Sequence, residues 1–338
     1  MWQLIGQDKL LTLLNYCIKA DAIAHAYLLV GPRHMGKMTL ALNLAQALNC
    51  DAPEPPCGQC NSCQRILEGK HSDVISTGLE SKTEIGIDEI RELQRLANLP
   101  PYEGKYKVFI IDGAEHLSTE AANSLLKILE EPPHKLIWLL LVADESRLLP
   151  TVISRCQHLE LQPIPSKQIQ ALLINFYNVD SNKANLLTHL CRGSLGWVLA
   201  ALADEGILDQ RSQRISELSS LLTASLGQRF TYAQELANQF SQKRASIVET
   251  LEGWLSWWRD LMLVKGGCKE AITNIDYELI LEKQAEGLSL SEIKTFLANL
   301  CLLQKEFSKN VNHRLALESL MLKLPGNAGD FSKAQVID

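Results

Sequence analysis

An apolar run shaped like a strand, a glycine-bearing loop and a helical pattern follow one another over residues 26–48. This succession restricts the fold more than anything else in the chain. Ala26–Val30 reads AYLLV, which suits a strand buried on both faces. Residues 31–39 then read GPRHMGKMT, fitting G-x-x-x-x-G-K through Gly31, Gly36 and Lys37. Backbone N–H groups of such a loop, backed by a helix N-terminus, cradle phosphate oxygens, and the lysine neutralises them. The next position ordinarily holds Ser or Thr, whose hydroxyl binds the magnesium that accompanies ATP. Here it is Met38, and a thioether is a poor ligand for a hard cation. Thr39 sits about 100° further round a helix and does not take its place. The scaffold of an ATPase is present without its usual metal hydroxyl.

The alternation of strand and helix continues to about residue 160. Val74–Ser76 is a short strand candidate and a helix is expected over Ile87–Leu99. Lys107–Ile111 (KVFII) is a stronger strand, ending at Asp112. Ser118 is placed to cap a helix through Ala121, Leu125, Leu126 and Leu129, which Pro132-Pro133 stops. Ile137–Val142 and Gln157–Leu161 complete the series. Strands without alternation, separated by helices, predict an α/β domain with a parallel sheet. Beyond Pro163 and Pro165 the strand-like runs end. The expected division is an α/β domain over 1–165, short helices over 166–205, a long-helical domain over 206–325 and a disordered tail over 326–338.

Residues 50–63 are an insert of another kind. Cys50, Cys57, Cys60 and Cys63 have the spacing C-x6-C-x2-C-x2-C, with Pro53, Pro55 and Pro56 stiffening the first interval. Cys-x-x-Cys turns bring two sulfurs to one metal, and four thiolates make a closed structural zinc site. An iron–sulfur site and free thiols are the competing readings. A redox or metal-sensing protein would need an open site, against which the four-thiolate spacing speaks. The other five of nine cysteines, Cys17, Cys156, Cys191, Cys268 and Cys301, lie among apolar neighbours and read as core.

Asp112 ends a strand where a phosphate-loop protein places the carboxylate that orders magnesium. ATPases of this kind usually add a glutamate beside it, but Gly113 follows and Glu115 lies further on. Arg155, in Ser154-Arg155-Cys156, reads on its own as a surface arginine in an ordinary ion pair. The formal net charge of −6 argues against strong autonomous nucleic-acid binding. No apolar run reaches the roughly 18 residues of a membrane span, and the start of the sequence lacks a leader pattern. Cytoplasmic location is expected.

HAYLLVGPRHMGK (25–37), the cysteine quartet, KVFIIDGAEHLSTEAANSLLKILEEPP (107–133), LLPTVISRCQ (148–157) and NVNHRLALE (310–318) together resemble one family. It is the clamp-loader subunits of bacterial DNA polymerase III, within the AAA+ class, and the likeness is strongest to their delta-prime branch. The resemblance implies a RecA-like AAA+ domain, a small helical lid and an all-helical collar that mediates oligomerisation. It implies zinc on the four cysteines and a role for Arg155 in trans, as an arginine finger at the active site of an adjacent ATPase subunit. The implied partners are gamma/tau and delta subunits, with the sliding clamp and primed DNA reached through the complex.

The catalytic gamma/tau branch keeps Ser or Thr after the loop lysine, an acidic pair at the strand end and an arginine in the lid. This chain has Met38, Asp112-Gly113 and Gly196 there. The three departures predict a subunit that does not hydrolyse ATP by itself. ATP or ADP binding at Gly31, Gly36, Lys37 and Asp112 stays open. A self-sufficient, gamma/tau-like ATPase using Lys37, Asp112 and Glu115 is the alternative. Trp254, Trp257 and Trp258, close together on one helical pattern, fit either a subunit contact or the core of the collar.

Overall fold

The computed structural model describes residues 2–79, 84–240, 244–307 and 312–326. Residues 310–311 of the collar-like stretch and 327–338 of the tail lie outside these. The chain divides into two compact units, Met1–Leu172 with Gly193–Trp197, and Leu173–Arg192 with Val198–Asp338.

The first unit runs α1 (Asp8–Lys19), β1 (Ala26–Val30), α2 (Lys37–Asn49), α3 (Asn61–Leu67), β2 (Val74–Thr77) and α4 (Ile87–Ala97). It continues with β3 (Lys107–Asp112), α5 (Thr119–Glu130), β4 (Leu136–Val142), α6 (Pro150–Ile153) and β5 (Gln157–Glu160). The five strands form one parallel sheet in the order β2-β3-β4-β1-β5. This is the α/β parallel-sheet fold expected from the sequence.

The unbroken apolar runs have a direct cause. Side chains alternate across a strand, and here both faces are covered. Leu28, Phe109, Ile111, Trp138 and Leu140 pack with Ile90, Leu93, Leu125 and Leu129 of α4 and α5. Leu29, Ile110, Leu139 and Leu141 pack on the other face with Leu40, Leu44 and Leu48 of α2 and Leu14 of α1. Register places Val30 beside Val142 and Asp112 beside Leu141, so the ends of β1, β3 and β4 lie at one edge of the sheet. Ser118 caps α5 as expected, accepting from the Ala121 amide at 3.0 Å.

α7 (Ser166–Tyr177) and α9 (Leu195–Ala203) each have residues in both units, whereas α8 (Ser181–Leu190) lies in the second. The second unit also holds α10 (Gly206–Thr223), α11 (Leu226–Phe240), α12 (Arg244–Lys265), α13 (Glu278–Glu286), α14 (Leu290–Glu306) and α15 (His313–Leu322). Its core settles the tryptophan question in favour of packing. Trp254, Trp257 and Trp258 are all buried within this unit. Trp258 meets Phe296 with ring centroids 4.4 Å apart, and the Trp257 indole donates to Gln284 Oε1 at 2.9 Å. Among the described residues no helix is long and apolar enough to cross a membrane.

Candidate functional site

The phosphate loop joins β1 to α2. Gly36 caps α2 with φ +92°, and a Cβ there would lie 2.7 Å from Leu4 Cδ1. Only glycine meets both demands easily. Lys37 lies across its own loop, its Nζ donating to the Gly31 carbonyl at 2.6 Å and the Pro32 carbonyl at 2.8 Å. Burial lowers the Lys37 pKa, while the charges of Glu115 and Asp112 act in the opposite sense. Met38 is half-buried and packs against the core between α2 and the sheet. The residue that replaces the magnesium hydroxyl therefore serves packing.

Asp112 is exposed at the end of β3. Gly113 follows in the left-handed region, φ +73°, and starts the single turn Ala114–His116. Glu115 Oε1 accepts from the Ala143 amide at 3.1 Å, bracing the turn after β3 against the end of β4. That brace is invisible in the sequence, where Glu115 is only a carboxylate near the expected position.

Residues 193–197 meet the loop from the other side. The Gly196 amide donates to the His34 carbonyl at 3.1 Å, and Ser194 Oγ to the Arg33 carbonyl at 3.3 Å. A Cβ on Gly196 would lie 2.5 Å from that His34 oxygen. The glycine standing where an arginine is expected is thus required by close backbone approach.

The four cysteines converge. Cys50 follows the last residue of α2, and Cys60 caps α3, on whose first turns Cys63 lies. Their Sγ atoms all lie within 4.8 Å of one another, with Cys57–Cys63 and Cys50–Cys60 at 4.0 Å. Tetrahedral Zn–S bonds of about 2.3 Å separate sulfurs by about 3.8 Å, so a small contraction would fit the metal. Amides of Ala52, Gln59, Cys60 and Cys63 point at the sulfurs at 3.3–3.5 Å, the outer-shell donors that thiolate ligands need. The Gln59 and Cys60 amides hold the Cys57 thiol at about 6, whereas burial pushes Cys63 up to about 12. Gln46 Nε2 donates to the Cys63 carbonyl and Lys105 Nζ to the Cys50 carbonyl, both at 2.8 Å. The quartet is a group able to hold a metal, anchored on the helix that begins at the phosphate loop.

The remaining cysteines depart in part from the expected core. Cys191 is buried and Cys17 and Cys156 are half-buried, but Cys268 and Cys301 are exposed. Local apolar neighbours in sequence do not fix which way a helix face or a turn points.

Arg155 follows α6 and precedes β5, whose first residue pairs with Tyr27 rather than with the loop end of β1. Its Nη2 lies 2.7 Å from Glu130 Oε1, and Nη1 donates to the Thr151 carbonyl at 2.8 Å. His25, Leu129, Glu130, Ser154 and Arg155 line an open hollow of about 560 Å³. Glu130, the last residue of α5, carries no local signal of this pairing.

A phosphate-loop α/β unit with a cysteine cluster and a helical C-terminal unit defines the class. A family model described as DNA polymerase III, delta subunit matches residues 6–165, and one described as DNA polymerase III, delta subunit, C terminal matches residues 205–325. The chain is 29% identical over 322 residues to DNA polymerase III subunit delta' of Bacillus subtilis, covering 94% of this chain and 96% of that one. It is 31% identical over 287 residues to the tau subunit of Bacillus subtilis, covering 77% of this chain and 49% of that one. It thus spans about half the length of the tau relatives. A gamma subunit-related protein of Thermotoga maritima aligns structurally with TM-score 0.45 and 18% identity, over 93% of this chain and 98% of that one. The chain belongs to the clamp-loader subunit family of DNA polymerase III.

Proposed function

We propose that the chain acts as a delta-prime-type subunit in a clamp loader, helping to place a sliding clamp on primed DNA. Its partners are gamma/tau-type and delta-type subunits, and the clamp and DNA are reached through the complex. The observation that carries this reading is the phosphate loop. Lys37 bonds its own loop carbonyls, and the position after it holds Met38, packed on the core, in place of a magnesium-binding hydroxyl. The degenerate nucleotide site comprises Gly31, Gly36, Lys37 and Asp112, and the chain does not turn over ATP alone.

Its chemical contribution is Arg155, offered in trans to the γ-phosphate on a neighbouring ATPase subunit. A planar guanidinium grips phosphate oxygens as charge develops on them. Cys50, Cys57, Cys60 and Cys63 hold one structural zinc, with no ligand position left for catalysis. The division into an AAA+ domain (1–165), a lid (166–205) and a collar (206–325) belongs to the same proposal.

The test is reconstitution with gamma/tau-type and delta-type partners. The isolated chain shows no hydrolysis above background. The complex hydrolyses ATP when clamp and primed DNA are added, and Arg155→Ala lowers that rate while the complex still forms. A trans arginine contributes about 10³–10⁵ where it dominates a site, diluted in the bulk rate if other sites keep theirs. Arg155→Lys rescues poorly. Turnover by the isolated chain of about 1 per second, abolished by Lys37→Ala, would overturn the proposal. So would normal hydrolysis and loading by Arg155→Ala.

A further inference from the structure

The arginine assigned to a neighbour's phosphate is already occupied in its own chain. Arg155 folds back against the end of α6, with Nη1 on the Thr151 carbonyl at 2.8 Å and 3.3 Å from Ser154 Oγ. Nη2 meets the Glu130 carboxylate at 2.7 Å. A carboxylate oxygen and a phosphate oxygen are equivalent partners for this group, since both take charge-assisted bonds from the same donors. The Arg155 and Glu130 side chains are 34% and 52% exposed, facing the hollow beside His25 and Leu129. Water can therefore resolvate the carboxylate when the arginine leaves it, and the pair exchanges cheaply.

We propose that Glu130 is a positioning residue, whose carboxylate holds Arg155 in the free chain and gives it up to the γ-phosphate of a docked neighbour. This rests on the trans role of Arg155 and adds a regulator to it. Two anions then compete for one guanidinium. Glu130 keeps the side chain ordered, sets a threshold for engagement, and makes the engaged state depend on ATP being present next door. The Thr151 carbonyl needs no exchange and acts as the fixed pivot.

Glu130→Gln keeps the shape and removes the competing charge. In the reconstituted complex, the ATP concentration giving half-maximal hydrolysis should fall about two- to fivefold, the range of an exposed ion pair, with kcat unchanged. Raising the ionic strength should shrink the difference, because an exposed pair is screened. Glu130→Gln added to Arg155→Ala should have no further effect, since the two residues act as one pair. Arg155→Ala that impairs hydrolysis, together with Glu130→Gln that leaves half-saturation unchanged or lowers kcat, would refute the role of Glu130 alone. Arg155→Ala without effect would remove the arginine role and this inference with it. A Glu130→Gln effect that persists in the Arg155→Ala background would assign Glu130 to a different contact.

Discussion

The Gly196 amide donates to the His34 carbonyl at 3.1 Å, in a gap with no room for a side chain. His34 itself sits in the left-handed region, φ +61°, so its carbonyl is presented by a loop with little freedom to retreat. Gly196 and the phosphate loop are thereby linked. Gly196 and the shape of the phosphate loop depend on each other, so a side chain at position 196 requires the loop to move.

Gly196→Ala should destabilise the first unit by about 1–3 kcal/mol, as overpacked sites do, and should lower the thermal midpoint. Gly196→Arg, alone or with Met38→Thr, should not create ATP turnover, because the new Cβ must first push the His34 carbonyl away. Turnover in the double variant at unchanged stability would show that the contact is slack.

The cysteine cluster yields a prediction in pH. The folded environment favours the Cys57 thiolate, held at about 6 by the Gln59 and Cys60 amides, whereas burial keeps Cys156 up at about 12. In metal-stripped protein, alkylation of Cys57 should rise as pH passes through about 6 and level off near neutrality, with Cys156 unreactive throughout. Added zinc, bound at one per chain, should protect Cys57. Cys60→Ser should lose the metal and loosen residues 50–70, read by amide exchange. Mass spectrometry showing Cys57 labelled only above pH 8, or no metal retained, would count against the site.

How far the sequence exposes these features varies with their range. β1, β3 and β4 were legible because burial on both faces leaves unbroken apolar runs, as in Leu136–Val142, whereas β2 and β5 are shorter and partly exposed. Ser118 and the cysteine spacing were legible because a cap and a Cys-x-x-Cys turn are local devices. The pairing of Glu130 with Arg155, the seat of Gly196 on His34 and the brace from Glu115 to Ala143 were not. Each joins segments distant in sequence, and no short pattern encodes a distance. The tryptophans show the intermediate case, since one helical spacing serves an interface and a core equally.

Trp258→Ala follows from that resolution. Trp258 is fully buried against Phe296, and removing a buried aromatic costs about 3–5 kcal/mol. Helicity should melt at lower temperature and the second unit should become protease-sensitive before assembly is even tested. A variant that keeps its melting curve yet fails to assemble would place this residue in a subunit contact instead.

Arg229 carries a buried polar site in the second unit. Its buried guanidinium donates to three main-chain carbonyls, Leu221 through Nε at 3.0 Å, Leu222 through Nη2 at 3.1 Å and Leu324 through Nη1 at 2.7 Å. The first two belong to the last turn of α10, where the Leu221 carbonyl also takes the Ala224 amide at 3.4 Å and helix-end carbonyls otherwise run short of partners. The third ties the segment after α15 to that same end. Arg229→Met would recover some desolvation cost of the buried charge, which lowers the arginine's pKa. It would also strand the buried Leu222 and Leu324 carbonyls, at about 1–3 kcal/mol each, and the carbonyls should dominate. A net loss of about 3 kcal/mol is expected by urea unfolding. Arg229→Lys should recover only part of it, because one ammonium cannot span three acceptors set around a planar fork. A Met variant as stable as the parent would mean that water serves those carbonyls equally well.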